Sequence, residues 1–188
     1  ENKRIEPRGR EDNWWGLESG GPCGPDSEIF YKTKDQLVEI GNNVFMQYLL
    51  EEGEYKPLGI HNVDFGGGLD RLTALIQEVD SIYETDIYKP ILEKVKELNK
   101  EDIIESERII VDHIKAATWI VMDGIVPGRS KQGYVLRRLI RRAIRHGKKL
   151  NIEKLFTRQV AQVAINQFKE IYPKLEEQEK NILKIIED

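Results

Sequence analysis

The sequence is poor in cysteine, histidine and long apolar runs, and each scarcity excludes a class of protein. The 188 residues contain one cysteine, Cys23, so no disulfide can form within the chain. Three scattered histidines, His61, His113 and His146, with a single cysteine do not indicate zinc or any other metal site. No apolar run approaches the roughly 18 residues that can span a membrane, and no secretory signal pattern is present. We therefore predict a reduced, cytoplasmic protein without a membrane partner.

The composition is that of a folded protein with a mixed surface. Hydrophobic residues make up 39% of the sequence and charged residues 33%, which suffices for a packed core and excludes a disordered chain. The net charge of −4 argues against a general nucleic-acid binder. The chain starts at Glu1, in a segment rich in polar turn residues, and we expect it to be a fragment of a longer protein.

Strand signals are concentrated in the first half of the sequence. The alternation from Ser27 to Tyr31 predicts one strand. Two more strands are predicted at 37–40 and 44–48, separated by a turn at Gly41-Asn42-Asn43, and a polar, hairpin-like connection follows at 51–59. These segments indicate a β-rich part of the chain.

From about residue 86 onward, apolar residues recur at helical spacing. Helices are predicted at about 87–98, 106–122, 133–146 and 152–188, with Ser106 as a cap, Gly147 as an end signal and a break near Pro173. The chain as a whole predicts an α+β protein. Its β-rich part covers residues 1–90 and an all-helical part covers residues 91–188.

A glycine run lies at the predicted junction between a strand and a helix. Gly66, Gly67 and Gly68 would let a flat ligand approach bare backbone, and Arg71 in the first helical turn could bind a phosphate. The spacing is neither that of a P-loop nor that of a dinucleotide fingerprint. Asp64 precedes the run, and its carboxylate could bind an ammonium group. Both features have a plain alternative, which is a glycine turn that begins an amphipathic helix while Asp64 supports the turn.

A second cluster combines aromatic residues, glycines and the cysteine. Trp14 and Trp15 precede the segment Gly20–Pro25, which contains Cys23. Adjacent tryptophans can cover a pocket, and they can equally belong to a core. Cys23 could serve as a nucleophile or a ligand, but the lack of a second cysteine argues against a metal there.

The segment from Arg129 to Lys149 contains no acidic residue and carries the strongest signal in the sequence. Its apolar residues Leu136, Leu139, Ile140 and Ala143 form one helical stripe, from which the arginines point away. An anionic partner such as RNA phosphate would explain this face. The alternative is neutralisation by the acidic segments 101–107 or 176–179. The candidate RNA-binding residues are Arg129, Arg137, Arg138, Arg141, Arg142 and Arg145.

Taken in order, these segments closely resemble the alanyl-tRNA synthetase family of class II. The matching segments are Asn13–Trp15, Gly21–Pro25, Ser27–Tyr31, Glu39–Gln47, Val63–Arg71, Val111–Ile114, Asp123–Pro127 and Gly133–Gly147. The resemblance covers roughly residues 10–150. It implies a partial class II antiparallel sheet with helices, followed by a helical domain that recognises tRNA.

The resemblance also implies roles for individual residues. Arg71 would be the catalytic residue of the third class II motif and would bind the γ-phosphate of ATP, while Gly66, Gly67 and Gly68 would form the floor of the adenine site. Asp64 would bind the amino group of L-alanine, and Trp15, Val44 and Gly66 would surround its methyl group. The family uses ATP as a substrate with Mg²⁺ and no zinc in this segment, and the arginine helix would contact the acceptor stem of tRNA(Ala).

Several positions depart from the family pattern. Asp26, Gly41 and Asp70 replace cysteine, tryptophan and glutamate, while Phe65 and Gly67 replace threonine and methionine. Arg129 stands where the family often carries an asparagine that reads a G·U pair. The first two class II motifs are not in this chain, so we expect it to be inactive alone. Two alternatives to an alanine–tRNA ligase are a non-catalytic RNA-binding module derived from it and an unrelated helical scaffold.

Overall fold

The computed structural model of the chain describes residues 4–34, 36–152 and 155–187. The contacts divide it into two compact units, Glu1–Asp80 and Ser81–Asp188. The sequence suggests a boundary near residue 90, whereas the structure divides the chain after Asp80. The reason is that residues 81–90 pack with the helices that follow. The first unit contains the sheet, and the elements described in the second unit are all helical, so the predicted α+β class is confirmed.

The first unit is built on a four-stranded antiparallel sheet in the order β1-β2-β3-β4. The strands are β1 at Trp14–Trp15, β2 at Gly21–Lys32, β3 at Leu37–Glu51 and β4 at Glu54–Gly67. Within the described residues β4 pairs only with β3, and such an edge tolerates Pro57, which has no amide proton to donate.

The predicted turn at Gly41-Asn42-Asn43 is wrong, and the predicted hairpin-like connection at 51–59 is present but shorter. β3 runs without interruption through the three residues, because they are paired on both sides, with Ile29, Glu28 and Ser27 in β2 and with Gly67, Gly66 and Phe65 in β4. Pairing with two neighbours outweighs the local turn preference of asparagine and glycine. The connection shortens to Glu52 and Gly53, whose φ angles of 51° and 83° suit a two-residue hairpin turn.

The glycine run forms the predicted junction between strand and helix. Gly66 and Gly67 end β4, Gly68 is the N-cap residue, and helix α1 follows at Leu69–Ile76. The amide of Gly68 donates to the carbonyl oxygen of Ile40 over 3.1 Å, which ties the junction to β3. The position of Arg71 on the first turn of a helix is therefore confirmed.

The second unit packs its helices around one hydrophobic core. A short 3₁₀ turn at Ile82–Glu84 precedes six α-helices in the described residues, namely α2 at Lys89–Leu98, α3 at Ile104–Met122, α4 at Lys131–Lys149, α5 at Phe156–Phe168, α6 at Lys174–Glu177 and α7 at Glu179–Glu187. The core includes Ile91 of α2, Ile114 of α3, Leu136 of α4, Ile165 of α5 and Ile182 of α7, all fully buried. No helix in the described ranges is long and apolar enough to cross a membrane.

Two predicted helix signals act differently in the structure. Ser106 is not a cap, because α3 begins two residues earlier and the Ser106 side chain is buried inside the second unit. Gly147 does not end its helix, because α4 continues to Lys149. An added Cβ on Gly147 would collide with the ring of Phe156, so this glycine permits close packing of α5 on α4. The predicted break at Pro173 is confirmed, since Pro173 caps α6.

Ser106 instead forms a buried polar pair with His146. Its Oγ lies 2.9 Å from Nδ1 of His146, and both residues are less than 9% exposed. Burial lowers the pKa of His146, and the charges of Lys149, Arg142 and Arg145 lower it further against the opposing effect of Glu105. His146 therefore resists protonation more than an ordinary histidine does.

We expect the buried His146 to make the second unit sensitive to acid. Below pH 6.5, the ordinary pKa of a histidine side chain, the unfolded chain takes up a proton that the folded chain resists, so the free energy of unfolding falls as the pH is lowered. His146→Gln should remove this part of the pH dependence, whereas Ser106→Ala, which keeps the imidazole, should retain it. Urea unfolding monitored by far-ultraviolet circular dichroism between about pH 7 and 5 tests this. An unchanged slope in His146→Gln would contradict it.

Candidate alanine site and arginine cleft

One face of the β3–β4 pair gathers residues that the sequence analysis assigned to an amino-acid site. Val44 is the register partner of Asp64, and Asn42 is the partner of Gly66. Partners in an antiparallel pair project from the same face, and so do residues two apart along a strand. Val44 is buried while the Asp64 side chain is exposed. A carboxylate therefore lies beside a small apolar wall and a glycine.

Asn42 is a member of this face that the sequence analysis missed. Its amide donates from Nδ2 to Oδ2 of Asp26 over 2.9 Å, and its Oδ1 is buried without a hydrogen-bond partner in the described part of the chain. An orphaned acceptor of this kind can accept from an ammonium group. The two-residue spacing between Asn42 and Val44 could have identified Asn42 in the sequence. The incorrect turn at Gly41-Asn42-Asn43 concealed this spacing, because it separated the two residues.

The same face carries several carboxyl groups. The pairing of Asp26 with Val44 and of Glu28 with Asn42 places both acids on the face of Asp64, on the other side of β3. Burial raises the pKa of Glu28, and the nearby charges of Glu39 and Asp26 raise it further. A face that carries several carboxyl groups favours a cationic ligand. No set of three histidine, cysteine or acidic side chains in the described residues could hold a metal ion.

The three glycines of the run differ in which atoms surround the position that a Cβ would occupy. An added Cβ on Gly66 would meet nothing within 4 Å, so the backbone there is open. Gly67 projects to the opposite face, where a Cβ would lie 3.2 Å from the ring of Phe65. The same ring covers Gly41, the register partner of Gly67. Among the three, Gly66 is thus the position where a ligand can lie directly against backbone on the face of Asp64.

Arg71 is held by β3 in this structure. Its Nη1 donates to the carbonyl oxygen of Glu39 and to Oε2 of the same residue, each over 3.0 Å. Both side chains are partly exposed, so the pair contributes little to stability. The contact does orient the guanidinium, whose remaining donors are available to a phosphate.

The two tryptophans have different surroundings. The Trp14 ring packs against Tyr48 at 5.6 Å and Tyr55 at 5.4 Å between centroids, and the guanidinium of Arg10 lies 4.1 Å from its ring. Trp15 pairs with Gly24 and is 39% exposed. Trp14 is thus a packing residue, and Trp15 is the one available to a ligand. Cys23 is buried, as expected of an unreactive thiol.

A separate feature, which we call the arginine cleft, lies in the second unit. The buried side of α4 includes Leu136, Ile140 and Ala143, with Leu139 half-buried beside them. The cleft has a volume of about 850 Å³ and brings together all six predicted arginines, Arg129, Arg137, Arg138, Arg141, Arg142 and Arg145. Each is exposed. The arginine face expected from the helical spacing is thus present as a concave surface.

The loop before α4 brings Arg129 into the arginine cleft. The amide of Gly128 donates to the carbonyl oxygen of Gly133 over 2.9 Å, so the loop folds back on the start of the helix. A Cβ on Gly133 would lie 2.7 Å from the carbonyl oxygen of Val126, and only glycine permits this approach. Tyr134 also lines the cleft, with its ring centroid 5.8 Å from the guanidinium of Arg138.

Among the described residues, no acidic side chain forms an ion pair with an arginine of the arginine cleft. The ion pairs found among the described residues involve other basic groups, such as Arg158 with Glu187 and Lys169 with Glu176. In that part of the chain, none of the six cleft arginines has a carboxylate within ion-pair distance, and the acidic segments 101–107 and 176–179 pair elsewhere or face solvent. The arrangement can therefore bind an extended polyanion.

Comparison with known proteins adds an independent finding. The whole chain, residues 1–188, matches the family model described as tRNA synthetases class II (A). It is 44% identical to an alanine–tRNA ligase of Natranaerobius thermophilus over 99% of this chain and 24% of that protein. It is 38% identical to the alanine–tRNA ligase of Vesicomyosocius okutanii over 97% of this chain and 24% of that protein. The ligase of Treponema pallidum is 42% identical over 89% of this chain and 32% of its own length. The chain thus spans a quarter to a third of these curated relatives.

Proposed function

This chain belongs to the class II (A) tRNA synthetase family, and we propose that it works as part of an alanine–tRNA ligase, which activates alanine with ATP and transfers it to tRNA(Ala). The observation that carries the proposal is the shared face of Asp64, Val44, Asn42 and Gly66 on β3 and β4. It combines a carboxylate, an amide acceptor, a small apolar wall and open backbone. These are the groups that a small amino acid requires.

The roles follow from what each side chain offers. Asp64 binds the ammonium group of alanine by a charge-assisted hydrogen bond, and the unpaired Oδ1 of Asn42 accepts a second proton from the same group. Val44 and Trp15 limit the space for the methyl group, while Gly66 leaves the backbone open beside it. This set favours alanine over larger amino acids through steric exclusion.

Arg71 is the proposed catalytic residue of this segment. Held by Glu39, it presents a guanidinium to the γ-phosphate of ATP, with Gly66, Gly67 and Gly68 near the base. The reaction is an in-line attack of the alanine carboxylate on the α-phosphate, in which an O–P bond forms while the bond to pyrophosphate breaks. It requires positioning and charge stabilisation rather than a general base. Magnesium accompanies ATP in this class and would neutralise charge on its phosphates.

The arginine cleft is the proposed contact for the acceptor stem of tRNA(Ala). Its six exposed arginines have no carboxylate partner in the described residues, and guanidinium groups bind phosphates with paired donors. Phosphate contacts position an RNA without reading its sequence. The cleft would therefore hold the RNA, while other features select it.

A second candidate is a non-catalytic RNA-binding module, and one contrast favours it. The helical unit has a core of many fully buried side chains, whereas the sheet unit buries few and exposes large apolar ones such as Ile60, Val63 and Phe65. Exposed apolar surface of this kind often marks a contact with further protein. The helical unit has a hydrophobic core of its own, so it could bind RNA without a complete catalytic centre.

Binding of acceptor-stem RNA to the 188-residue chain tests the RNA part of the proposal. We expect binding whose affinity falls steeply with salt. Arg129→Ala should weaken a stem with a G·U pair and a matched stem with G·C equally and lower the salt slope by roughly one unit, because an exposed arginine in this cleft binds phosphate. Fluorescence anisotropy across a salt series measures both quantities.

Two results would change the conclusion. A loss confined to the G·U stem would show that Arg129 reads the wobble pair in place of asparagine. Failure of the folded chain to bind either stem above the level of an unrelated acidic polymer would remove RNA from the proposed function.

A further inference from the structure

His113 lies at the arginine cleft but differs in chemistry from the other groups that line it. It belongs to α3, it is only 8% exposed, and its ring contributes to the wall of the cleft. The arginines present hydrogen-bond donors alone, because a guanidinium has no acceptor. The imidazole of His113 therefore lies among cationic side chains. Binding of phosphate by the arginines does not require it.

The neighbouring Asp112 determines how His113 is presented. Its Oδ2 lies 2.9 Å from Nδ1 of His113. A carboxylate can only accept, so Nδ1 carries the proton of this hydrogen bond. In the neutral ring the other nitrogen, Nε2, then keeps its lone pair. A carboxylate that orients a histidine in this way fixes both the tautomer and the ring plane.

We propose that Nε2 of His113 accepts a hydrogen bond from a ribose 2′-hydroxyl of RNA bound in the arginine cleft, so that this residue distinguishes RNA from DNA. The inference rests on the proposed function, since it supposes that RNA enters the cleft. A phosphate needs donors, which the arginines supply in excess. A 2′-hydroxyl offers a donor hydrogen and is the group that separates RNA from DNA at a given site.

The repeat of phosphate and ribose along an RNA strand matches the arrangement of arginines and His113 in the cleft. Along an RNA strand each ribose lies between two phosphates, so a strand held by arginines brings 2′-hydroxyl groups to the same wall. Tyr134, at the start of α4, also lines the cleft and is 48% exposed. His113 is buried and oriented by Asp112, whereas the arginines are exposed. A buried, oriented acceptor among exposed donors is suited to recognising one position of the backbone.

The test is a scan of single 2′-deoxy substitutions in an acceptor-stem RNA duplex, which keeps the helix in its RNA form. With the unmodified chain, one position should lose roughly two- to tenfold in affinity, the range of one hydrogen bond. In His113→Phe, which keeps a planar ring and removes the acceptor, that same substitution should have no further effect. Arg141→Ala is the control, because it should weaken every duplex while leaving the pattern of the scan unchanged.

A second variant covers the case in which His113→Phe does not fold. Asp112 is exposed, so Asp112→Ala should fold, and it no longer holds the proton on Nδ1. The effect of the sensitive 2′-deoxy position should then be smaller than in the unmodified chain. Circular dichroism checks the fold of both variants.

The outcomes separate this inference from the proposed function. If the chain binds RNA but no 2′-deoxy position is coupled to His113 or Asp112, the hydroxyl contact is wrong and the function stands. A uniform loss across all duplexes in His113→Phe would make His113 a phosphate contact and would also overturn the inference. If the chain does not bind RNA, both fail together.

Discussion

Changing Asp64 to asparagine in a complete synthetase that contains these residues is expected to raise the KM for alanine roughly 10- to 100-fold while ATP use stays nearly the same. The neutral amide keeps the shape of the side chain but removes the charge that binds the alanine ammonium. A charged hydrogen bond of this kind contributes about 1.5–3 kcal/mol. Alanine-dependent pyrophosphate exchange at varied alanine and ATP measures both constants.

Two controls make the result specific. Asp80→Asn removes the charge of another exposed aspartate of the first unit, outside the sheet, and should change neither constant. Arg71→Ala should instead weaken ATP use, since its guanidinium is assigned to the phosphate. An unchanged KM for alanine in Asp64→Asn would remove Asp64 from the site. An effect of Arg71→Ala on alanine alone would refute the phosphate assignment.

Replacing Arg141 and Arg142 together by alanine is expected to lower the affinity of the 188-residue chain for tRNA(Ala) by roughly tenfold or more at low salt and to flatten the salt slope by roughly two units. Both side chains are exposed in the arginine cleft and have no ion-pair partner in the described residues. Because phosphate contacts carry no sequence information, variants of the tRNA should lose affinity about equally. Filter binding over a range of salt concentrations provides the slope.

The matched control removes the same charge from other helices of the same unit. Arg158 of α5 and Lys180 of α7 are exposed and lie outside the arginine cleft, so Arg158→Ala with Lys180→Ala should leave the slope nearly unchanged. Both double variants should remain folded, because Arg141 and Arg142 are exposed without an ion-pair partner in the described residues, and the exposed pair of Arg158 with Glu187 contributes little to stability. If the cleft variant unfolds while its folded fraction binds tRNA normally, the arginine face is structural.

The sequence alone determined the features that depend on local spacing. The strand-to-helix junction at Gly66–Gly68 and the arginine face of α4 follow from residue order, because helical period and glycine content are local properties. The place of Arg71 on the first turn of α1 and the absence of acids from the segment around Arg141 can be read in the same way. The arginines of α4 lie on one side of the helix because of their spacing in the sequence, and no distant residue is needed for this.

Only the tertiary structure decided the features that depend on distant partners. Asn42 lies within a strand, because β2 and β4 supply its hydrogen-bond partners, and no pattern within a few residues contains that information. Ser106 and Gly147 act as packing residues because His146 and Phe156 lie against them in space. The position of His113 at the wall of the arginine cleft likewise depends on how α3 packs against α4, which is set by the shape of two apolar faces rather than by the order of residues in either helix.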